Sequence, residues 1–383
     1  MEARIGETFG IGFLIGYIFS LVVVVVIFMP YCMPREHAVK KRNRVMKTPM
    51  MTSLMERREK RREEAILEIS KLEESVTRLS FRMLYDATDS FCQDNVVGVG
   101  KMGTMYKGML PSGCFIAVKR LNESQYLEKG FISQLIILSR LRHINMVPFL
   151  GFCIESRERL LLCYKYISNG KLYDWLHPVE GGASFLEWPT RTFIAMKVAK
   201  GLIYLHNNCQ FPTAHLNLSS SCILLDKNFE PKISNFGGAV FISKNSRNFF
   251  ENVLKQDVYR FGILLLELIT GEDPVRNNES FHSLKQTLVE QNAHHSTSSF
   301  SSLCHVVDVS LIGQGFDLEI LHCLRVACGC LQTLPDQRPT MTEVYNELLV
   351  FKILGVGHIT ACRNADGTEL EMPRCSETVH LQL

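Results

Sequence analysis

Neither sign of charge dominates this chain: 42 lysines and arginines face 39 aspartates and glutamates over 383 residues, a formal net charge of +3. So small an excess argues against a nucleic-acid partner, and basic character matters only where it is concentrated. No internal repeat is present. Cys328-Gly329-Cys330 has one intervening residue and no second cysteine pair, which excludes the usual zinc spacings. None of the 13 cysteines precedes Cys32.

What the chain does have near its start is an apolar run. Gly10 to Met29 are 20 consecutive uncharged positions, and at about 1.5 Å per residue they match a bilayer core of about 30 Å. The pattern predicts a transmembrane helix; a cleaved signal is the alternative, but no small-x-small cleavage site follows. Arg35, Lys40, Lys41, Arg42, Arg44 and Lys47 come just after it, whereas Arg4 stands against Glu2 and Glu7 before it. That asymmetry predicts that the bulk of the chain lies in the cytosol, where the cysteines are free thiols. The same basic residues suit anionic lipid headgroups. The segment ahead of the span is too short for a folded ligand-binding module, and Cys32, at the boundary, is either an S-palmitoylation site or an unmodified cysteine.

From Glu56 to Glu74 charges of both signs alternate at helical spacing, and Ile66, Ile69, Leu72, Val76 and Leu79 add an apolar stripe that predicts a helix packed on a following domain. Short β-type runs follow at Val96-Val97, Thr104 to Leu110 and Cys114 to Val118, the last two separated by Pro111-Ser112-Gly113. A helical period spans Ile132 to Leu141, and two apolar runs follow at Val147 to Leu150 and Leu160 to Cys163. Helical runs then occupy 190–206, 257–270, 319–332 and 340–352. The order predicts a strand-rich lobe before a helix-rich lobe, an α+β chain.

Gly98-x-Gly100-x-x-Gly103 lies between two strand-like runs, not ahead of a helix, and Ile116-Ala117-Val118-Lys119 follows on the next strand. A glycine hairpin and a lysine at this spacing form one phosphate site. With Met105-Tyr106-Lys107-Gly108, Trp188-Pro189-Thr190-Arg191, Asp257-Val258-Tyr259-x-Phe261-Gly262 and Gln337-Arg338-Pro339-Thr340, the chain resembles a plant receptor-like kinase of the RLK/Pelle type. Glu158-Arg159-Leu160-Leu161, Tyr164-Lys165-Tyr166, Leu218-Ser219-Ser220 and Ile223-Leu224-Leu225 are similar to the BIR-type members, several of them inactive, whose leucine-rich-repeat ectodomain finds no counterpart here. The resemblance implies a two-lobed protein-kinase fold behind a single N-terminal transmembrane helix. The expected organisation is an extracytoplasmic segment 1–9, a transmembrane helix 10–29, a basic juxtamembrane segment with a charged helix 30–79, a kinase-like domain 80–352 and a flexible tail 353–383.

The same resemblance shows what is missing. The family's H-R-D-x-x-x-x-N reads His215-Leu216-Asn217-Leu218-Ser219-Ser220-Ser221-Cys222. Asn217 replaces the proton-accepting aspartate, and an amide is no base near neutral pH. Cys222 replaces a metal-binding asparagine, and a thiol is a poor ligand for Mg²⁺. The metal motif reads Asn235-Phe236-Gly237, and Gln134 stands where a glutamate would pair with Lys119. Leu216 replaces an arginine, A-P-E is absent, and the 19 residues from Gly238 to Gln256 are few for an activation segment. Glu251 and Asp226 are the nearest substitute carboxylates, neither in a motif position.

These losses leave no intact catalytic residue and predict no metal site and no Mg²⁺. Gly98, Gly100, Gly103, Lys119, Tyr164 and Tyr166 remain as nucleotide-binding candidates, implying ATP held weakly or without metal; turn formation and a solvated lysine are the plainer account. The function implied is a plasma-membrane pseudokinase that binds and regulates active plant receptor-like kinases, with a weakly active serine/threonine kinase as the alternative.

Overall fold

A computed structural model describes residues 70–122, 127–155, 160–178, 185–208, 211–242, 247–274 and 306–350, with a few isolated positions besides. The expected span 10–29 (isolated positions aside), the basic stretch Arg35 to Lys47 and the tail 353–383 lie outside the described residues. Among the described residues no helix is long and apolar enough to cross a membrane.

The first lobe is a five-stranded antiparallel sheet in the order β1-β2-β3-β5-β4, built from β1 (Val96–Gly100), β2 (Gly103–Met109), β3 (Phe115–Leu121), β4 (Phe149–Ile154) and β5 (Leu160–Lys165). Alternation places Ile116 and Val118 on one face, where they pack with Leu161, Cys163 and Cys153 under Leu84 of helix α1 (Phe81–Ala87). Ser80 caps that helix by accepting the Met83 N–H at 3.1 Å. The stripe residues Leu72 and Val76 are buried, and Thr77 to Leu79 run beside β4 through Phe152. Gly151 permits this approach, since a β-carbon there would stand 2.3 Å from the Thr77 carbonyl.

Helix α2 (Leu127–Arg140) turns Phe131, Gln134, Leu135 and Leu138 inward at three- and four-residue spacing. The chain crosses at Lys165-Tyr166-Ile167 to α3 (Leu172–Leu176) and α4 (Trp188–Ile203), whose proline stands in the first turn, where its missing N–H costs nothing. Four short strands follow in two pairs: β6 (Thr213–Ala214) pairs with β9 (Val240–Phe241), and β7 (Ile223–Leu225) with β8 (Pro231–Ile233).

Helix α5 (Arg247–Thr270) is the core of the second lobe, with Leu264, Leu265, Leu266, Leu268 and Ile269 all buried. It packs on α6 (Asp317–Cys330) at Gly262, where a β-carbon would lie 2.7 Å from Cys330 Cβ, and a last helix, α7, covers 341–350. The helix expected at 257–270 thus begins ten residues earlier, at Arg247. No glycine or proline lies between Val240 and Phe261 to stop it.

Candidate functional site

The β1–β2 hairpin, β3, the crossing segment and the loops around β7 and β8 enclose a cleft of about 460 Å³. Val97, Ala117, Val147 and Leu224 give it apolar walls, and every nucleotide-binding candidate read from the sequence lines it: Gly98, Gly100, Gly103, Lys119, Tyr164 and Tyr166. The three glycines are present for different reasons. Gly103 has φ 152°, and a β-carbon there would meet the Arg120 carbonyl at 2.1 Å, so strand pairing alone demands it. A β-carbon at Gly98 or Gly100 would meet nothing closer than 3.8 Å. The fold does not require those two to be bare, whereas close approach of a ligand to the hairpin backbone would.

Lys119 sits on β3 between Met105 and Leu162 and reaches the cleft. Burial pushes its ammonium pKa down, with Cys222 opposing the shift. Gln134 lies on the same wall, only 2% exposed, and its Nε2 is 3.5 Å from the Tyr164 hydroxyl while its Oε1 has no partner among the described residues. The Tyr164 hydroxyl is fully enclosed and burial raises its pKa, so the phenol stays neutral. Tyr166 carries the Lys107 ammonium over its ring at 4.9 Å, and its backbone N–H is held by Phe115.

The three substituted positions of the catalytic machinery meet at one atom. Asn217 Nδ2, Ser219 Oγ and Asn235 Nδ2 lie 3.8, 3.4 and 3.5 Å from the Cys222 sulfur as donors, and the thiol donates to the Asn217 carbonyl at 3.1 Å. Cys222 is 3% exposed. The Cys222 sulfur therefore takes the amide hydrogens at the place where carboxylate oxygens would face a metal ion. Mg²⁺ asks for hard, preferably anionic oxygens in near-octahedral array, and this donor set does not fit it. Asp174 is the sole acidic side chain among the described residues lining the cleft, against Lys119, Lys165 and Lys171.

Neither substitute carboxylate is placed to help. Asp226 accepts the N–H groups of Asn228 and Glu230 and pairs with Lys232 at 3.4 Å; burial works to raise its pKa, but these contacts bring it below the usual range. It is a turn-forming residue that does not line the cleft. Glu251 is exposed on α5.

Two holding arrangements went unseen in the sequence. Asp257, fully buried, accepts the His215 and Leu216 N–H groups at 2.7 Å each and contacts His206 Nε2 at 3.0 Å. Burial favours its neutral form, yet the His206 hydrogen bond and the neighbouring imidazoles hold the carboxyl below its ordinary range. This grip keeps Leu216 at φ 59°, an unusual value for a branched side chain. At the end of α2, the Arg140 guanidinium lies 4.8 Å from the Phe211 ring and 5.2 Å from Phe241 on β9. It ties α2 to the second lobe without Lys119.

The protein kinase domain family matches residues 91–350, more than half of the chain. The chain belongs to the protein-kinase family. Within it the relatives are plant receptor-like kinases. One from Arabidopsis thaliana, bearing the description "Probably inactive leucine-rich repeat receptor-like protein kinase", is 40% identical over 72% of this chain and 48% of its own length. Another from that plant, a "Probable inactive receptor kinase", is 36% identical over 75% of this chain and 51% of its own. The solved pseudokinase domain of BIR2, an immune regulator of the RLK/Pelle family, matches with a TM-score of 0.61 and 29% identity, covering 76% of this chain and 92% of that one. The chain spans about half the length of the curated relatives it matches.

Proposed function

We propose that this kinase-family chain is a regulatory pseudokinase: a binding protein that associates with active receptor kinases of the plasma membrane and biases their signalling. The observation that carries this reading is the meeting of Asn217, Cys222 and Asn235 at one buried sulfur. Base loss alone typically costs about 10²- to 10⁴-fold, and here the base and both protein-held metal positions are replaced by groups bonded to one another. Helix α5, running unbroken from Arg247, adds a second reason, because it occupies the stretch where an activation segment would present a peptide to be phosphorylated.

Membrane attachment belongs to the same proposal. It rests on the apolar run Gly10 to Met29 and the basic residues that follow it. The relatives' description as receptor kinases supports both the location and the class of partner. The cleft is proposed to have kept a nucleotide pocket that works without metal, which the bare backbones of Gly98 and Gly100 support.

Co-precipitation with plant receptor kinases, at matched membrane abundance, tests the proposal. Lys119→Glu should retain both partner and signalling output, whereas Leu264→Asp, which unfolds the second lobe, should abolish both. A folded Lys119→Glu chain that reaches the membrane and loses its partner would make cleft occupancy part of the association and end the passive-scaffold reading.

A further inference from the structure

A side chain that does not line the cleft stands behind its polar end, against the Gly237 that follows Asn235. Met102, at the tip of the β1–β2 hairpin, turns inward: a β-carbon at Gly237 would stand 2.7 Å from its Sδ, and one at Gly130 would stand 3.7 Å from its Cε. The thioether is thus wedged between the hairpin, helix α2 and the Asn235-Phe236-Gly237 turn. Asn122 fastens the tip in that position, its backbone N–H donating to the Met102 carbonyl at 3.2 Å and its amide to the Lys101 carbonyl at 3.3 Å. The cleft stops short of Met102, which is not among its lining residues.

What remains open has two parts. One is apolar, with Val97, Ala117, Val147 and Leu224 in its walls beside the crossing segment, and suits an apolar ring. The other is a short polar end holding Lys119, Gln134 and Asn235. Two groups there are unanswered by the protein itself: the Lys119 ammonium has no ion-pair partner among the described residues, and Gln134 Oε1 is a buried acceptor without a donor. A buried polar atom left unpaired in a cleft wall marks a place for a ligand's own donor. One cation and neutral amides suit a ligand that brings hydroxyls and at most one phosphate. A second and third phosphate would add charge with no hard-ion site to neutralise it, and to extend past Asn235 they would need the space that Met102 fills beside Gly237.

Resting on the proposal that the cleft still takes a nucleotide, we infer that it selects the short members of the series, nucleosides and nucleoside monophosphates, bound without metal, and that Met102 excludes the longer polyphosphates. Met102 is then a specificity-determining residue whose packing on Gly237 and Gly130 replaces the far end of a triphosphate.

The test is calorimetric titration of the full chain in nanodiscs with adenosine, AMP, ADP and ATP, each in EDTA and in excess Mg²⁺, adenosine serving as the reference for each variant. AMP is expected to bind about tenfold more tightly than ATP, the order of one unneutralised charge in a partly screened site, with no gain from Mg²⁺. Met102→Ala is expected to narrow that gap, and Asn122→Ala, which removes the amide bond to Lys101 but keeps the backbone bond to Met102, to narrow it less. ATP binding more tightly than AMP, a Mg²⁺-dependent gain, an AMP-to-ATP ratio unmoved by Met102→Ala, or the absence of any binding would each overturn the inference. The pseudokinase reading fails on a different result: phosphate transfer from ATP in the same samples.

Discussion

Asp257→Ala removes the carboxylate that holds the catalytic-loop backbone, and its consequence follows from three contacts. The His215 N–H, donating at 2.7 Å, is fully buried and loses its acceptor outright. The Leu216 N–H, also at 2.7 Å, is partly reached by water, and His206 loses its partner at 3.0 Å. An orphaned buried donor costs about 1–3 kcal/mol, so the sum is about 3–5 kcal/mol once the wetter group is discounted. That is a large share of the roughly 5–15 kcal/mol that a domain of this kind has. Urea unfolding followed by tryptophan fluorescence should show the midpoint falling at unchanged slope. The same network makes the wild-type chain sensitive to acid. Burial lowers the His215 pKa, so below about pH 6.5 the unfolded chain takes up a proton that the folded one refuses, and stability declines as pH falls. The Asp257 carboxyl, held below its ordinary value in the fold, adds stability that is complete above the unfolded pKa and is lost as pH drops through the folded one. An alanine variant within about 1 kcal/mol of wild type would show that water satisfies these groups and that Asp257 does not organise the loop.

Asn217→Asp alone should leave phosphate transfer undetectable, since Asn235 and Cys222 still offer no metal ligands; turnover from that one change, measured with labelled ATP, would mean that the metal site works as it stands. Leu264→Asp places a charge at a fully buried position of α5, which should cost several kcal/mol and cause loss of cooperative unfolding at 25 °C, whereas Lys119→Glu should unfold like wild type. A fragment beginning at Arg35 should bind phosphatidylserine vesicles with about 1 kcal/mol per basic residue near the surface and release in salt; indifference to lipid charge would limit Arg35 to Lys47 to a topological role.

Much of the fold was legible because its signals are local. The glycine hairpin, the lysine one strand later and the proline-led α4 each occupy a few neighbouring residues, and the cleft duly gathers Gly98, Gly100, Gly103, Lys119, Tyr164 and Tyr166. The start of α5 was missed because 238–256 reads as an activation segment, although Phe249, Phe250, Val253 and Leu254 stand at helical spacing and continue into the buried turns after Asp257. The substitutions at Asn217, Cys222 and Asn235 could be counted from the motif, but not their convergence on one sulfur, which depends on how two loops 13 residues apart approach. The Met102 wedge and the Arg140 clamp were invisible for the same reason: a methionine in a hairpin tip and an arginine at a helix end are ordinary surface residues until a distant glycine or ring comes to meet them.

The most direct test of the account is transfer of the terminal phosphate of ATP by the purified full chain, to itself and to a generic protein substrate, in Mg²⁺, in Mn²⁺ and in EDTA, against Lys119→Glu prepared in parallel. Wild type and variant should be indistinguishable, and neither metal should matter. Metal-dependent turnover in the wild type that the Lys119→Glu chain lacks would contradict the account.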